Sequence, residues 1–313
     1  MVHFIGWFEL ANLTMAVYLG LDCGGTSTRA VALDERGEVL FEGKSGPANW
    51  ASTERDQLRE HIVEALTGAP KVDTVCGCFA GLLTPEDKAS VEAMLKEVSG
   101  ASKALGLPDF HAALRASGPD ATACVISGTG SLVFSRTNGD VVKSGGGGPL
   151  LGDVGSAFAI SREALRVALF GSPVVAAVSD RFRVAMQELF GTSDPSEVPA
   201  RVYAEPSPAR TVAKLAPIVA RDAEAGEAYA RIVVEDQMKQ LAYILYGHLY
   251  THHATTKPWR VFLSGGLWKI SPIFLTRLEE SMGLMAGAKD IQFSELPVAP
   301  VMGAAWLAME HKG

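Results

Sequence analysis

One run of elements occurs twice in this chain, and that repetition restricts its architecture more than any other feature. Val17 to Leu21 reads as a strand, Asp22-Cys23-Gly24-Gly25-Thr26 as a glycine-rich turn, and Thr28 to Leu33 as a second strand. After a turn at Arg36-Gly37, a third strand covers Glu38 to Gly43. The same order returns with Ala123 to Ile126, the turn Ser127-Gly128-Thr129-Gly130, Ser131 to Arg136, a turn at Asn138-Gly139, and Asp140 to Ser144. A repeated supersecondary unit implies a duplicated fold, here two halves that each turn a glycine-rich bend toward a common cleft.

Between the two meanders the pattern predicts a helix from Glu54 to Leu66, a buried strand from Thr74 to Phe79, a helix from Pro85 to Val98 and a short strand ending at Leu107. Beyond them it predicts mostly helix from Ser156 to Tyr250, broken at Pro173, Pro195 and Pro206-Pro208. Val234, Met238, Leu241, Leu245 and Leu249 recur there at helical spacing, as a core stripe does. A final apolar strand, Val261 to Leu263, opens into Ser264-Gly265-Gly266, and a helix from Met302 to His311 ends the chain. The expected organisation is an α/β fold of two lobes, residues 15–118 and 119–313, the second with a helical insertion, after an extension at 1–14. No low-complexity linker separates the lobes, so a hinge is expected rather than a tether.

Composition supports this and excludes other classes. The 313 residues, 48% hydrophobic and 20% charged, suffice for two lobes with a sizeable core. A net charge of −7 offers no basic footprint for nucleic acid or an anionic membrane, so neither is expected as a partner. Cys23, Cys76, Cys78 and Cys124 match no CxxC, zinc or disulfide pattern, which reads as free thiols in the cytoplasm. Cys76 and Cys78 share one strand face and are expected in the core. Met1 to Leu13 lacks the basic region of a signal peptide and carries Glu9, so it reads as an extension, with Met15 as the natural start. The apolar run Val167 to Val178 is interrupted at Gly171-Ser172-Pro173, short of the ~20 residues a spanning helix needs. His61, His111, His248, His252 and His253 show no metal-ligand spacing, and the His252-His253 pair reads as surface.

With no basic stripe, a bound phosphate must be held by local geometry. A glycine-rich bend between strands brings backbone N–H groups close to a ligand, and Gly24, Gly25, Thr26 and Thr28 form one candidate cradle, with Asp22 placed to hold Mg²⁺ through water. Gly128, Thr129 and Gly130 form the matching one. Alone, either loop is an ordinary hairpin turn; their pairing in two halves makes the phosphate reading. Neither fits the P-loop or the dinucleotide-binding GxGxxG pattern.

Ser127-Gly128-Thr129-Gly130-Ser131, Leu151-Gly152-Asp153-Val154-Gly155-Ser156 and Leu263-Ser264-Gly265-Gly266-Leu267-Trp268-Lys269 together resemble the BadF/BadG/BcrA/BcrD ATPase family and, within it, the N-acetylglucosamine kinases. The resemblance runs from Val17 to the last helix. It implies two ribonuclease-H-like lobes of the actin-like ATPase class and ATP as phosphoryl donor to a small sugar. It implies that Asp109 is the catalytic base, although by its residues alone Asp109 reads as the cap of Phe110 to Ala116. Gly152 and Asp153 resemble sugar-hydroxyl contacts, with a helix cap as the structural alternative for Asp153. Ser264, Gly265 and Gly266 resemble an adenosine-binding turn. Asn49 matches a sugar-binding Asn, Thr129 is expected at the substrate too, and Trp50 offers either an apolar face to the sugar or simple packing. The family usually has Asn where this chain has Pro108, and Glu where it has Val154. The expected activity is phosphorylation of N-acetylglucosamine or a related amino sugar at the 6-hydroxyl. Glucosamine, glucose and N-acetylmuramic acid stay open as substrates, as does a homodimer as the assembly. A non-catalytic sensor and a dehydratase-activating ATPase are the rival readings; the latter needs cysteines that ligate a cluster.

Overall fold

Apolar Tyr18–Cys23 forms β1, paired antiparallel with β2 (Thr28–Leu33), which pairs antiparallel with β3 (Val39–Ser45). Helix α1 (Arg55–Ala65) leads to β4 (Thr74–Phe79), and α2 (Pro85–Ser99) leads to β5 (Lys103–Pro108). These crossovers let β4 and β5 add in parallel, giving the order β3-β2-β1-β4-β5. The computed structural model describes residues 15–172, 177–288 and 290–311, so the expected extension at 1–14 and the break at Pro173 lie outside it. Among the described residues, no helix is long and apolar enough to cross a membrane.

The second sheet repeats the first. After α3 (Phe110–Ala116), a meander of β6 (Ala123–Ser127), β7 (Ser131–Thr137) and β8 (Asp140–Ser144) is extended in parallel by β9 (Trp259–Ser264) and β10 (Ile291–Glu295). The order β8-β7-β6-β9-β10 matches the first sheet strand for strand. This is the duplicated two-lobed α/β fold that the repeated meander predicts. Strand β10 was not expected: Ile291–Glu295 alternates half-buried and exposed positions, as an edge strand does, and offers no apolar run to read.

Between β8 and β9 lies the helical segment, comprising α4 (Gly148–Leu151), α5 (Ala157–Phe170), α6 (Asp180–Phe190), α7 (Val198–Ala204), α8 (Pro208–Ala213), α9 (Ala216–Glu224) and α10 (Ala228–His253). The expected stripe from Val234 to Leu249 is buried on α10. Helix α11 (Ile273–Gly283) joins β9 to β10, and α12 (Pro300–Glu310) follows β10.

The helices that follow the two sheets join the lobes: α3 bridges both sheets, with Ala112 on the first, and α12 packs on the first. Phe110, Ala113 and Leu114 of α3 share a buried cluster with Cys124 and Phe134 of the second sheet. Ala304 and Ala308 of α12 pack with Tyr18, Cys76 and Cys78 of the first, and Val301 and Ala305 with Val31 and Leu33. Helix α12, expected within the second lobe at 119–313, therefore packs on the first sheet. The contacts leave no room for side chains: a Cβ on Gly20 would lie 2.2 Å from the Ala305 nitrogen, and one on Gly303 2.1 Å from the Ala112 oxygen. All four cysteines are buried and free.

The reading of the His252-His253 pair as surface needs correction, since both rings are half-buried beside a buried His248. His248 is buried, with Nδ1 2.9 Å from Ser144 Oγ and Nε2 2.8 Å from Ser135 Oγ, and His253 Nε2 meets the same Ser135 hydroxyl at 2.8 Å. The helix turns these rings inward onto β7 and β8. Burial, reinforced by His252 and His253, pushes the His248 pKa down to about 4 from an ordinary 6.5. A histidine depressed in the fold contributes stability that is fully present above its unfolded pKa and is lost as pH falls toward the folded one. Unfolding free energy is therefore expected to fall by on the order of 2 kcal/mol between pH 6.5 and 4, solvent screening included. Denaturant titrations of the wild type and His248→Asn check this, the variant showing a shallower acid slope.

Candidate active site

Strand β1 ends on Asp22 and Cys23 and turns sharply. Gly24 N–H donates to Ser27 O at 3.1 Å, Ala48 N–H donates to Gly24 O at 3.1 Å, and Ala80 N–H donates to Cys23 O at 2.9 Å. The turn is thereby tied to the segments after β3 and β4. Its tip, Thr26, is exposed. Among the described residues, no protein acceptor takes the backbone N–H of Gly25, Thr26 or, in the other lobe, Thr129, as a phosphate cradle requires.

Asp22 and Asp109 face one another at the floor of this turn. Pro108 ends β5 opposite Phe79, and Asp109 N–H donates to Phe79 O at 3.1 Å, which fixes the backbone despite the departure at Pro108. Asp109 stands before α3 but its side chain makes no cap hydrogen bond, so the cap alternative fails. Burial raises its pKa, with the N–H groups of Phe110 and Asp109 acting against the rise. Asp22 is pushed up to about 7, first by burial and then by the charge of Asp109, while Arg29 opposes the shift. Two half-buried carboxylates that repel each other are stabilised by a cation, so the pair fits a hydrated Mg²⁺ that Asp22 would hold. Sequence reasoning missed Arg29. It sits across the β1–β2 register from Asp22, and only that pairing reveals it.

Asn49 joins the same lobe. Its Oδ1 accepts from the backbone of Ala51 at 2.9 Å and Ser52 at 3.1 Å, and its amide nitrogen lies 3.9 Å from where a Cβ on Gly25 would be. The turn fixes the carbonyl end and leaves the NH₂ free to donate beside the phosphate loop.

In the second lobe Gly128 N–H donates to Gly130 O at 2.8 Å, and Thr129 is exposed at the tip. Gly265, at φ +102°, lies so close to this turn that a Cβ would sit 2.2 Å from Ser127 O. Trp268 Nε1–H donates to Ser264 O at 2.9 Å and pins the turn. Beside it, Leu263, Trp268, Pro272, Leu275 and Phe293 line a cavity of about 440 Å³, which fits a nucleobase. Asp153 is buried at a left-handed φ of 58°, rare for a residue with a side chain. Its carboxylate lies against the Gly128–Gly130 turn, 2.6 Å from a Cβ position on Gly130, and burial raises its pKa against the N–H groups of Ser131 and Gly148. Ser156, not Asp153, caps α5, accepting from Ala159 N–H at 3.1 Å. Gly152 precedes Asp153, a Cβ there being 1.8 Å from Gly146 O.

Each lobe of the duplicated fold thus carries a glycine loop, the first beside the Asp22–Asp109 pair and the second against Asp153 and the Ser264–Gly266 turn. A model of the BadF/BadG/BcrA/BcrD ATPase family matches residues 19–308. The chain belongs to that family. It is 25% identical over 96% of its length to the N-acetyl-D-glucosamine kinase of Dictyostelium discoideum, covering 100% of that protein. It is 32% identical to the N-acetylmuramic acid/N-acetylglucosamine kinase of Clostridium acetobutylicum over 50% of this chain and 54% of the relative. Its fold is that of a candidate N-acetylglucosamine kinase crystal structure from Porphyromonas gingivalis, at a TM-score of 0.73 and 18% identity, covering 95% of this chain and 100% of the other.

Two residues expected at the site of this family member are instead structural. Thr28 is fully buried, and its hydroxyl donates to Gly46 O at 2.9 Å, bracing the turn from behind. Trp50 is also buried: Nε1–H donates to Asp87 Oδ1 at 2.7 Å, Arg55 covers one face at 3.7 Å, and the ring meets Phe79 edge-on at 6.2 Å. No face remains for a sugar. Trp50→Phe is expected to lower Tm by a few degrees through the lost hydrogen bond while leaving nucleotide and sugar affinities within about twofold. Calorimetric unfolding and binding titrations check both halves; a weakened sugar at unchanged Tm returns Trp50 to the site.

Proposed function

We propose that this ATPase-family chain is an ATP-dependent sugar kinase acting on the 6-hydroxyl of N-acetylglucosamine or a related amino sugar. The observation that carries the reading is the half-buried Asp22–Asp109 pair at the first glycine turn, with Asp153 held against the second. The kinase relatives from Dictyostelium and Clostridium support the substrate class.

Bound ATP supplies the transferable phosphoryl group, and Mg²⁺ offsets its charge. Asp109 accepts the proton of the attacking hydroxyl on its carboxylate, and its raised pKa brings its basicity nearer to neutral conditions. Asp22 would hold the hydrated metal. The free N–H groups of Gly25, Thr26 and Thr129 would grip phosphate oxygens, and the Ser264–Gly266 turn would receive the adenosine. From opposite lobes, the Asn49 amide and the Asp153 carboxylate would orient the sugar, and closure of the lobes would exclude water that competes for the phosphoryl group. The lobes 15–118 and 119–313 are proposed as the moving parts, with α3 and α12 joining them. A cytoplasmic location completes the reading. Burial of all four thiols leaves none at the surface to ligate a shared cluster, which disfavours the dehydratase-activator alternative.

ADP release with N-acetylglucosamine, glucosamine, N-acetylmuramic acid and glucose tests the substrate, and turnover is expected with the amino sugars. Asp109→Asn is expected to cut kcat by about 10²–10⁴-fold with ATP affinity nearly unchanged. A folded variant with wild-type turnover removes the base assignment. Asn49→Ala and Asp153→Ala are each expected to raise the sugar KM about tenfold or more, well beyond any change for ATP.

A further inference from the structure

The segment between β8 and α5 carries Gly152 and Asp153, yet it has little means of holding itself in place. Its only regular structure is the four-residue α4, and Gly145 to Gly148 all adopt left-handed φ, at 77°, 74°, 92° and 81°. Four successive residues without side chains have nothing to pack with. What fixes the segment lies on one face of α10.

Gly155 N–H donates to the buried Gln237 Oε1 at 3.1 Å. Leu241 lies directly under Gly155, 2.7 Å from where a Cβ would be, and Ile244 lies 3.3 Å from the corresponding point on Gly145. At the start of the segment, Ser144 Oγ meets His248 Nδ1 at 2.9 Å. Residues 237, 241, 244 and 248 are spaced so that they fall on a single stripe of the helix. The other side of the segment is tied to the phosphate turn, since Ser127 Oγ–H donates to Gly155 O at 2.8 Å and Ser131 Oγ–H donates to Val154 O at 2.7 Å.

We infer that α10 is the rail that sets the position of the sugar-contacting segment relative to the phosphate turn, with Gln237 and His248 as positioning residues at its two ends. The inference rests on the proposed sugar site. Both residue types suit the role. Gln237 supplies the acceptor that a buried backbone N–H needs, and an apolar residue there would leave Gly155 N–H unpaired. His248 is held through both ring nitrogens, one by Ser144 and the other by Ser135 of β7, so its ring cannot rotate without breaking a bond. Displacing either end shifts Asp153 against Gly130 while the Ser264–Gly266 turn, on β9, keeps its place. The rail therefore acts on the sugar and not on the nucleotide.

The test compares Gln237→Met, Ser144→Ala, His248→Leu and His248→Asn, the last keeping a polar atom near the Nδ1 position. Each is assayed for sugar and ATP KM and for amide hydrogen exchange. Gln237→Met, Ser144→Ala and His248→Leu are expected to raise the sugar KM about five- to tenfold, with the ATP KM within about twofold, and to speed exchange over residues 144–156 above the rest of the chain. His248→Asn is expected to stay within about twofold of wild type in sugar KM. Parallel movement of both KM values, no movement of either, or exchange that rises evenly along the chain overturns the rail. If the wild type phosphorylates none of the sugars, the proposed function fails, and the exchange pattern alone decides the rail: acceleration confined to 144–156 supports it, and uniform acceleration overturns it.

Discussion

Close contact between α12 and its two neighbours, made where glycines bare the backbone, is the constraint on which the rest of the molecule depends. Gly20 lets α12 lie on the middle of β1, and Gly303 lets the same helix lie on α3. Two residues beyond Gly20 stands Asp22, and one residue before α3 stands Asp109. The contact therefore fixes the strand end and the helix start that bear the acidic pair. Arg115 of α3 strengthens it from outside, bonded to Glu310 at 2.7 Å and set over the Trp306 ring at 4.9 Å. A side chain at either glycine would have to push α12 outward, and the carboxylates would lose their mutual register.

On the proposed reading, an acidic chain must hold phosphate without a basic surface. Its net charge of −7 repels anions at a distance, and Arg29 is the cation that bears on Asp22. Attraction must come from backbone dipoles at short range, where two glycine turns place their free N–H groups. The cost appears as carboxylates held away from their ordinary protonation. A site assembled from repelling groups and a left-handed Asp153 trades stability for pre-organisation, as functional sites commonly do.

Much of the fold was legible because its signals are local. Alternating and apolar runs mark β1, β2, β4, β6, β7 and β9, and the glycine turns fall where the repeat puts them. Edge strand β10 was not legible, since Ile291–Glu295 is half solvent-facing and gains its identity from β9 alone. The same limit applies at the site. Asp22, Asp109 and Asp153 are proposed from motif and register, whereas the burial of Thr28 and Trp50 was not legible because loop membership says nothing about which way a side chain turns. The inward rings of His248 and His253 were hidden for that reason as well. Their partners, Ser135 and Ser144, are over a hundred residues away in sequence.

Helix α12 also sets an order of events during synthesis. Strands β1 to β5 all precede Asp109 and can pair soon after they leave the ribosome. Their outer face cannot be finished then, because Tyr18, Cys76 and Cys78 wait for Ala304 and Ala308, which are made after all ten strands. The second sheet waits too, since β6 needs β9 beside it. A nascent chain thus carries an uncovered apolar surface through most of the translation of the two sheets, until α12 arrives. Chains released by a stop before α12 would keep Asp22, Asp109 and Asp153 and lack the helix that covers Tyr18, Cys76 and Cys78.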